Sequence, residues 1–236
     1  MIKGKRIEDE GVIEPKLFHT IATPNMHLAT FSDDFMAGTL ATNVWTSGGT
    51  SGATTIVTGG GGTAVADTTA TGNRTATLTF DGADFDSTYP FGMEFRAKTN
   101  VITNQLWIGG FYKDSDEYAY FKFNTASSAS TIYCSINTAA GDISADSGID
   151  AAADTYHVYR IEIDSDRYVQ YYVDDQKVED SRNFTTATKL MTTAGISTHV
   201  PYFYIDNKDQ SQDNHLIIDY VKVWQLRDKA AYSYTP

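Results

Sequence analysis

The sequence predicts an all-β domain, an antiparallel sandwich or barrel, on three observations. Apolar and polar residues alternate with a period of two, turn-forming residues punctuate the chain at short intervals, and no window sustains a 3.6-residue apolar period. Successive side chains of a strand point to opposite faces, so a period of two marks a strand buried on one side. Composition agrees, because 13% aromatic residues, with 15 Tyr and 12 Phe, favour pleated surfaces, and 41% apolar residues suffice for a sizeable core. A length of 236 residues allows one large sandwich or two small domains, and nothing in the composition forces a split.

Residues 1–30 form the first compositional unit. MIKGKRIEDEGVIEPKLFHT is charged throughout, IATPNMHLAT follows, and Pro15 and Pro24 block any long helix. The unit reads as an extended N-terminal arm in which Ile2, Ile7, Val12, Ile13, Leu17 and Phe18 stand among charges. Docking on a partner, or wrapping with copies of itself, would bury these side chains; a disordered leader is the alternative.

The pattern changes at Phe31, and 31–228 read as the folded body, with 229–236 as a tail. FSDDFMAGTLATNVWTSGGTSG has an aromatic start and a turn-prone middle, and TTIVTGGGGTAVADTTATGNRTATLTF carries short β-branched runs. Its four glycines at 59–62 lack the Lys-Ser/Thr pair and the following helix of a phosphate-binding loop, and so read as a strand connection. FGMEFRAKT, NQLWIGGFYK, EYAYFKFN and TIYCSIN are the next strands; the single cysteine, Cys134, lies in the last as a small buried hydrophobe. In YRIEID, Tyr159, Ile161 and Ile163 take one face and Arg160, Glu162 and Asp164 the other. In YVQYYV, Val169, Tyr171 and Val173 alternate with Tyr168, Gln170 and Tyr172. DSD at 164–166 and DDQ at 174–176 supply hairpin turns, since Asp tolerates turn geometry and bonds its own backbone. GISTH and LIIDYVKVWQ complete the strands.

A formal charge of −12 would repel phosphate backbones, which argues against nucleic-acid binding. Lys3, Lys5 and Arg6 lead into Glu8, Asp9 and Glu10 and not into the apolar run of about 7 to 15 residues that a signal peptide needs. No stretch approaches the roughly 18 apolar residues of a membrane helix. The expectation is a soluble protein made in the cytoplasm, without membrane insertion.

Two groups of residues offer binding chemistry. Trp107, Tyr112, Tyr118, Tyr120 and Tyr172 suit a sugar platform, because aromatic rings stack on the apolar side of a pyranose; cross-strand aromatic pairs that only stabilise the sheet are the alternative. In DNKDQSQDN, Asp206, Asp209 and Asp213 place oxygen ligands densely enough for Ca2+, the one cofactor the sequence offers, or form a solvated loop. KDSDEY at 113–118 is a weaker version. His19, His27, His157, His199 and His215 show no metal-ligand spacing, and there is no Gly-x-Ser-x-Gly elbow.

Several stretches together resemble the concanavalin A-like jelly-roll superfamily, which includes legume lectins, laminin G-like modules and laminarinase-type glucanases. SDDFMAGTLATNVWT, with Asp34, Phe35 and Trp45, is similar to the opening strand of that family; FGMEFRAK resembles the strand that begins its curved sheet. HVYRIEIDSDRYVQYYVDDQKV resembles its central hairpin and LIIDYVKVWQ its final strand, in the same order over roughly residues 31 to 226. The resemblance implies a jelly-roll β-sandwich and either hydrolysis or binding of carbohydrate. Its hydrolase branch carries acids on one strand as E-x-D-x-x-E or E-x-D-x-E, a spacing this chain lacks. The nearest set is Glu162, Asp164 and Asp166 as E-x-D-x-D, and Glu94 in FGMEFRAK stands without a carboxylate partner. On that ground the chain is expected not to be an enzyme, with no catalytic residue.

The leader is similar to attachment segments of bacteriophage tail-fibre and other virion proteins. That similarity implies a virion structural protein, a tail or head fibre or a capsid decoration, anchored by its arm to other virion proteins, trimeric, and displaying a lectin-like domain to host-surface glycan. A bacterial carbohydrate-binding module, or a glucanase-like protein lacking the usual carboxylate motif, is the alternative.

Overall fold

Alternation becomes sheet structure most plainly in the strand Phe91–Thr99, where Phe91, Met93, Phe95 and Ala97 enter the core while Arg96 and Lys98 stay half-buried on the far side. This strand is β7 of sixteen in the computed structural model, which describes residues 28–226 apart from 37–38, 51–52, 58–62, 69–71, 73, 82–84, 87–88, 139–140, 165, 179–197 and 209–211. The others are β1 (Leu28–Asp33), β2 (Trp45–Gly48), β3 (Ala53–Val57), β4 (Thr63–Asp67), β5 (Thr75–Phe80), β6 (Phe85–Asp86), β8 (Leu106–Asp114), β9 (Glu117–Asn124) and β10 (Thr131–Thr138), followed by β11 (Gly141–Asp150), β12 (His157–Ile163), β13 (Val169–Val173), β14 (Gln176–Lys177), β15 (Thr198–Asp206) and β16 (His215–Leu226).

They form two antiparallel sheets. The first runs β14-β13-β12-β7-β16-β4-β3, with β1 also on β16; the second runs β11-β10-β9-β8-β15-β5-β2, with β6 also on β15. The central hairpin is β12 and β13, paired from Tyr159↔Val173 to Ile163↔Val169. Asp174 and Asp175 both adopt positive φ, 50° and 64°, the backbone of a tight two-residue hairpin turn, and lead into β14. The predicted all-β antiparallel sandwich is the observed one.

Aromatic side chains fill the space between the sheets. Phe95 meets Phe203 edge-on at 5.1 Å and stacks on Tyr159 at 5.1 Å, Phe91 meets Phe111 at 4.8 Å, and Trp45 meets Phe80 at 5.3 Å. Each buried Phe contributes roughly 1.5 to 3 kcal/mol. The acid that anchors the opening motif is Asp33, not Asp34: its carboxylate accepts the Trp45 indole N–H at 2.9 Å and the Phe35 amide at 2.8 Å, holding Phe35 at φ 54°. Asp34 accepts the Met36 amide at 3.3 Å.

Two strands depart from the sequence reading. GISTH marks only the start of β15, whose body is PYFYID. Pro201 sits where β15 changes neighbours, after its pairing with β6 at 198–199 and before its pairing with β5 from Tyr202. A residue without an N–H fits that gap in the ladder. GDISADSGID forms edge strand β11, polar because most of its side chains meet solvent. β1 starts at Leu28, so the last three residues of the segment 1–30 belong to the first sheet; residues 1–27 and the tail at 229–236 lie outside the described residues.

Candidate functional site

On β8, Trp107, Gly109 and Phe111 face the core, so Leu106, Ile108, Gly110 and Tyr112 face outward. Strand pairing builds a surface around them. Tyr202 of β15 and Tyr120 of β9 flank Gly110, and beyond them the same row continues to Thr79 and Thr46 on one side and to Ser135 and Ser144 on the other. At Gly110 the strands approach so closely that a Cβ would lie 2.4 Å from the Tyr120 Cα, which requires glycine there.

Tyrosine rings cover this face in two groups. Tyr112 stacks on Tyr202 at 4.8 Å with 27° between planes, and Tyr202 is followed by Tyr204 at 6.5 Å and 17°. These three rings are half-buried and keep accessible surface. Tyr118 stacks on Tyr120 at 4.3 Å and 13°, and each is only 7% exposed. Burial pushes the phenols of Tyr118 and Tyr202 up to about 12, and those of Tyr120 and Tyr204 higher still, so all four stay neutral hydroxyls. Thr77 and Thr79 of β5 lie beside Tyr204 and Tyr202, and the Tyr204 hydroxyl reaches the Asp206 carboxylate at 3.4 Å. Ser135 and Ser144 share a hydrogen bond of 2.6 Å, and Lys122 lies 3.5 Å from Asp142.

The five aromatics expected on one platform divide. Tyr112 is on it, with Tyr118 and Tyr120 packed against each other at its side. Trp107 is corrected to the core, 2% exposed, because β8 turns its odd-numbered side chains inward. Tyr172 is corrected to the opposite face of the molecule, on β13 of the first sheet, where Arg160 covers its ring at 4.2 Å and its hydroxyl donates to Gln170 at 2.8 Å. Tyr202 and Tyr204 were missed because Pro201 hid the alternation of PYFYID.

The outer face of the first sheet is charged. Arg160 Nε lies 3.2 Å from Glu162 and its guanidinium 3.6 Å from Asp175; Arg96 lies 2.6 Å from Asp219 and 4.1 Å from the Tyr156 ring centre. Glu94, read from the sequence as lacking a carboxylate partner, stands diagonal to Glu162, because Glu94 pairs with Arg160 and Glu162 with Gly92. It accepts the Tyr220 hydroxyl at 2.9 Å and lies 3.6 Å from Lys222. Asp164 of the E-x-D-x-D set is fully buried and caps its turn through the amides of Asp166 and Tyr168, while Asp166 is exposed.

The acidic loop is described only in part. Asp206 bonds the Lys208 amide at 2.7 Å and lies beside its ammonium, and Asp209 falls outside the described residues. Asp213 turns instead to Asp67 at the end of β4 and His215 at the start of β16. Desolvation and a hydrogen bond with Asp67 raise its carboxyl above the usual range. In KDSDEY, Lys113 pairs with the buried Glu117, and Asp114 accepts the Asp116 amide at 2.9 Å. The arm residues Ile2, Ile7, Val12, Ile13, Leu17 and Phe18 are outside the described residues.

No protein-family model matches the sequence, and no curated protein matches it. Solved structures do match by fold. A laminarinase from Rhodothermus marinus superposes with a TM-score of 0.62 at 15% identity, over 86% of this chain and 100% of that one. The Emp47p carbohydrate recognition domain gives 0.59 at 13%, over 84% and 96%. A structure of the endo-acting O-glycanases with which human gut microbiota initiate mucin breakdown gives 0.60 at 13%, over 84% and 99%. The fold is therefore the concanavalin A-like jelly roll, shared by lectins and glycoside hydrolases.

That finding corrects the expectation that the chain is not an enzyme, because hydrolases stand among its structural neighbours. The exclusion rested on one spacing along one strand. Sheet pairing also brings together carboxylates from different strands, as it does Glu94 and Glu162. The named neighbours lend no support to the virion association expected from the leader.

Proposed function

We propose that the protein binds carbohydrate across the outer face of the second sheet, as a lectin-like or glucanase-like module. The observation that carries this reading is the series of partly exposed rings Tyr112, Tyr202 and Tyr204. Their faces suit the C–H side of sugar rings, and three in series suit a chain of sugars over a single one. Thr46, Thr77, Thr79 and Asp206 supply hydroxyl and carboxylate partners beside them.

Calorimetry against a laminarin-type β-glucan and mucin-type O-glycans tests it. Y202A should weaken binding at least tenfold, and Y172A on the opposite face should leave it unchanged. Equal affinity of wild type, Y112A and Y202A would remove the platform. Reducing ends released from the bound glycan assign the glucanase-like form, and binding without release assigns the lectin-like form.

The leader supports a second proposal, that residues 1–27 anchor the module to a virion as a trimer with host-surface glycan as ligand. It rests on the apolar side chains set among the charges of that segment. Deleting 1–27, which leaves β1 in place, should abolish particle incorporation while the sandwich still folds; normal incorporation would end it.

A further inference from the structure

Away from the tyrosine face, three side chains converge from two segments far apart in sequence. Asp67 ends β4, His215 opens β16, and the two are Cα partners in the ladder, with Asp213 two residues before His215. The imidazole Nε2 lies 3.2 Å from Asp213 Oδ1 and 3.5 Å from Asp67 Oδ1, without hydrogen-bond geometry to either, and is itself buried. One ligand atom from each residue falls within 4.8 Å of the other two.

We propose that Asp67, Asp213 and His215 form a binding site for a divalent transition metal of the Zn2+ class, which ties β4 to β16. Bonds of about 2.0 to 2.1 Å in a tetrahedron put neighbouring ligand atoms about 3.4 Å apart, and the two nitrogen-to-oxygen separations, 3.2 and 3.5 Å, bracket that value. An imidazole with two carboxylates matches Zn2+ or Co2+, whereas Ca2+ takes roughly six to eight oxygens. The carboxylate side chains are 35% and 51% exposed, so water completes the coordination and the ion has a way in.

The segment that carries two of the ligands is fastened before any ion arrives. Asn100 donates to the Asp213 carbonyl at 2.9 Å and accepts the His215 amide at 2.7 Å. Thr68, next to Asp67, exchanges backbone and hydroxyl hydrogen bonds with Asn214, and the Asn214 amide group donates to the Asn104 carbonyl at 2.9 Å. These bonds fix the backbone on both sides of the ligand set, the preorganisation that a metal site needs.

The test uses the full chain stripped with a chelator and titrated with Zn2+ by calorimetry, then with Co2+ by visible absorption. One Zn2+ per chain is expected, with the intense d–d bands of tetrahedral Co2+ and no displacement by millimolar Ca2+. H215Q and D213N should each weaken Zn2+ binding at least tenfold while the far-UV spectrum stays that of the wild type. H157A, which removes a separate His–Asp contact, 2.7 Å from Asp174, should leave binding unchanged. Absence of stoichiometric Zn2+, or Zn2+ retained at wild-type affinity by a folded H215Q/D213N double variant, would overturn the site.

Discussion

The two outer faces of the sandwich are both rich in tyrosine and use it differently. On the first sheet cations lie over the rings: Arg160 over Tyr172, Arg96 and Lys98 over Tyr156, Lys222 over Tyr220. Those cations also contact Glu162, Asp219, Asp154 and Glu94, so the face is saturated by its own charges. On the second sheet rings lie against rings, beside threonines, with Lys122 and Asp142 as a charge pair at the side. A tyrosine under a guanidinium is already occupied, whereas one stacked on another tyrosine at a sheet surface still has an edge and a face to offer. The chemistry of a ring is set by the strand beside it.

The largest effect that would break this contrast lies at its two glycines. A Cβ at Gly110 meets the backbone of Ala119 and Tyr120 at 2.4 to 2.5 Å, whereas at Gly92 it meets the Trp224 indole at 2.4 Å and backbone, the Ile161 carbonyl oxygen, only at 2.8 Å. G110A should cost about 3 kcal/mol or more in urea unfolding and G92A about 1 to 2. The opposite order would remove the close approach of β8 and β9 that floors the tyrosine face.

The layer between the faces gives the next effect. His199 is fully buried on β15, near Phe91 at 5.8 Å, and neither ring nitrogen has a hydrogen-bond partner among the described residues. Burial lowers its pKa from the ordinary 6.5 to about 4, opposed by Glu117 and Asp114 and aided by Lys113. The unfolded chain therefore takes up a proton at a higher pH than the folded one. Stability from this group is fully present above about pH 6.5 and is lost as pH falls toward about 4, by up to about 3 kcal/mol. Urea midpoints measured across that window should fall for the wild type and lose most of the slope in H199F.

Glycan affinity sharpens the contrast at a smaller scale. Y202A is expected to lose about 1.4 kcal/mol or more of binding, the tenfold change named above, and Y172A none. The smallest effects concern the charges: R160A should cost about 1 kcal/mol or less and K122A less than about 0.5, and 1 M salt should shrink the first difference. Thermal melts at low and high salt read both.

Much of the fold was legible before any pairing was known. FGMEFRAKT, EYAYFKFN, YRIEID and YVQYYV became β7, β9, β12 and β13 because side-chain period is a property of the local backbone. β11 escaped because an edge strand can be polar on both sides, and most of β15 because Pro201 reads as a breaker until the gap between β6 and β5 is seen. The site was legible in part. Tyr112, Tyr118 and Tyr120 were named from residue type and predicted strand, but Trp107 needed the facing of β8 and Tyr172 needed the sheet assignment of β13. Asp67 and His215 left no local signal, since a ladder and not a spacing joins them.

The sequence by itself determined that this chain builds antiparallel strands around an aromatic interior, because alternation and turn chemistry act within a few residues. Only the tertiary structure decided which tyrosines stack on one another and which lie beneath cations, and which acids meet a histidine. Those outcomes depend on strand order and register, which couple residues that the chain itself holds far apart.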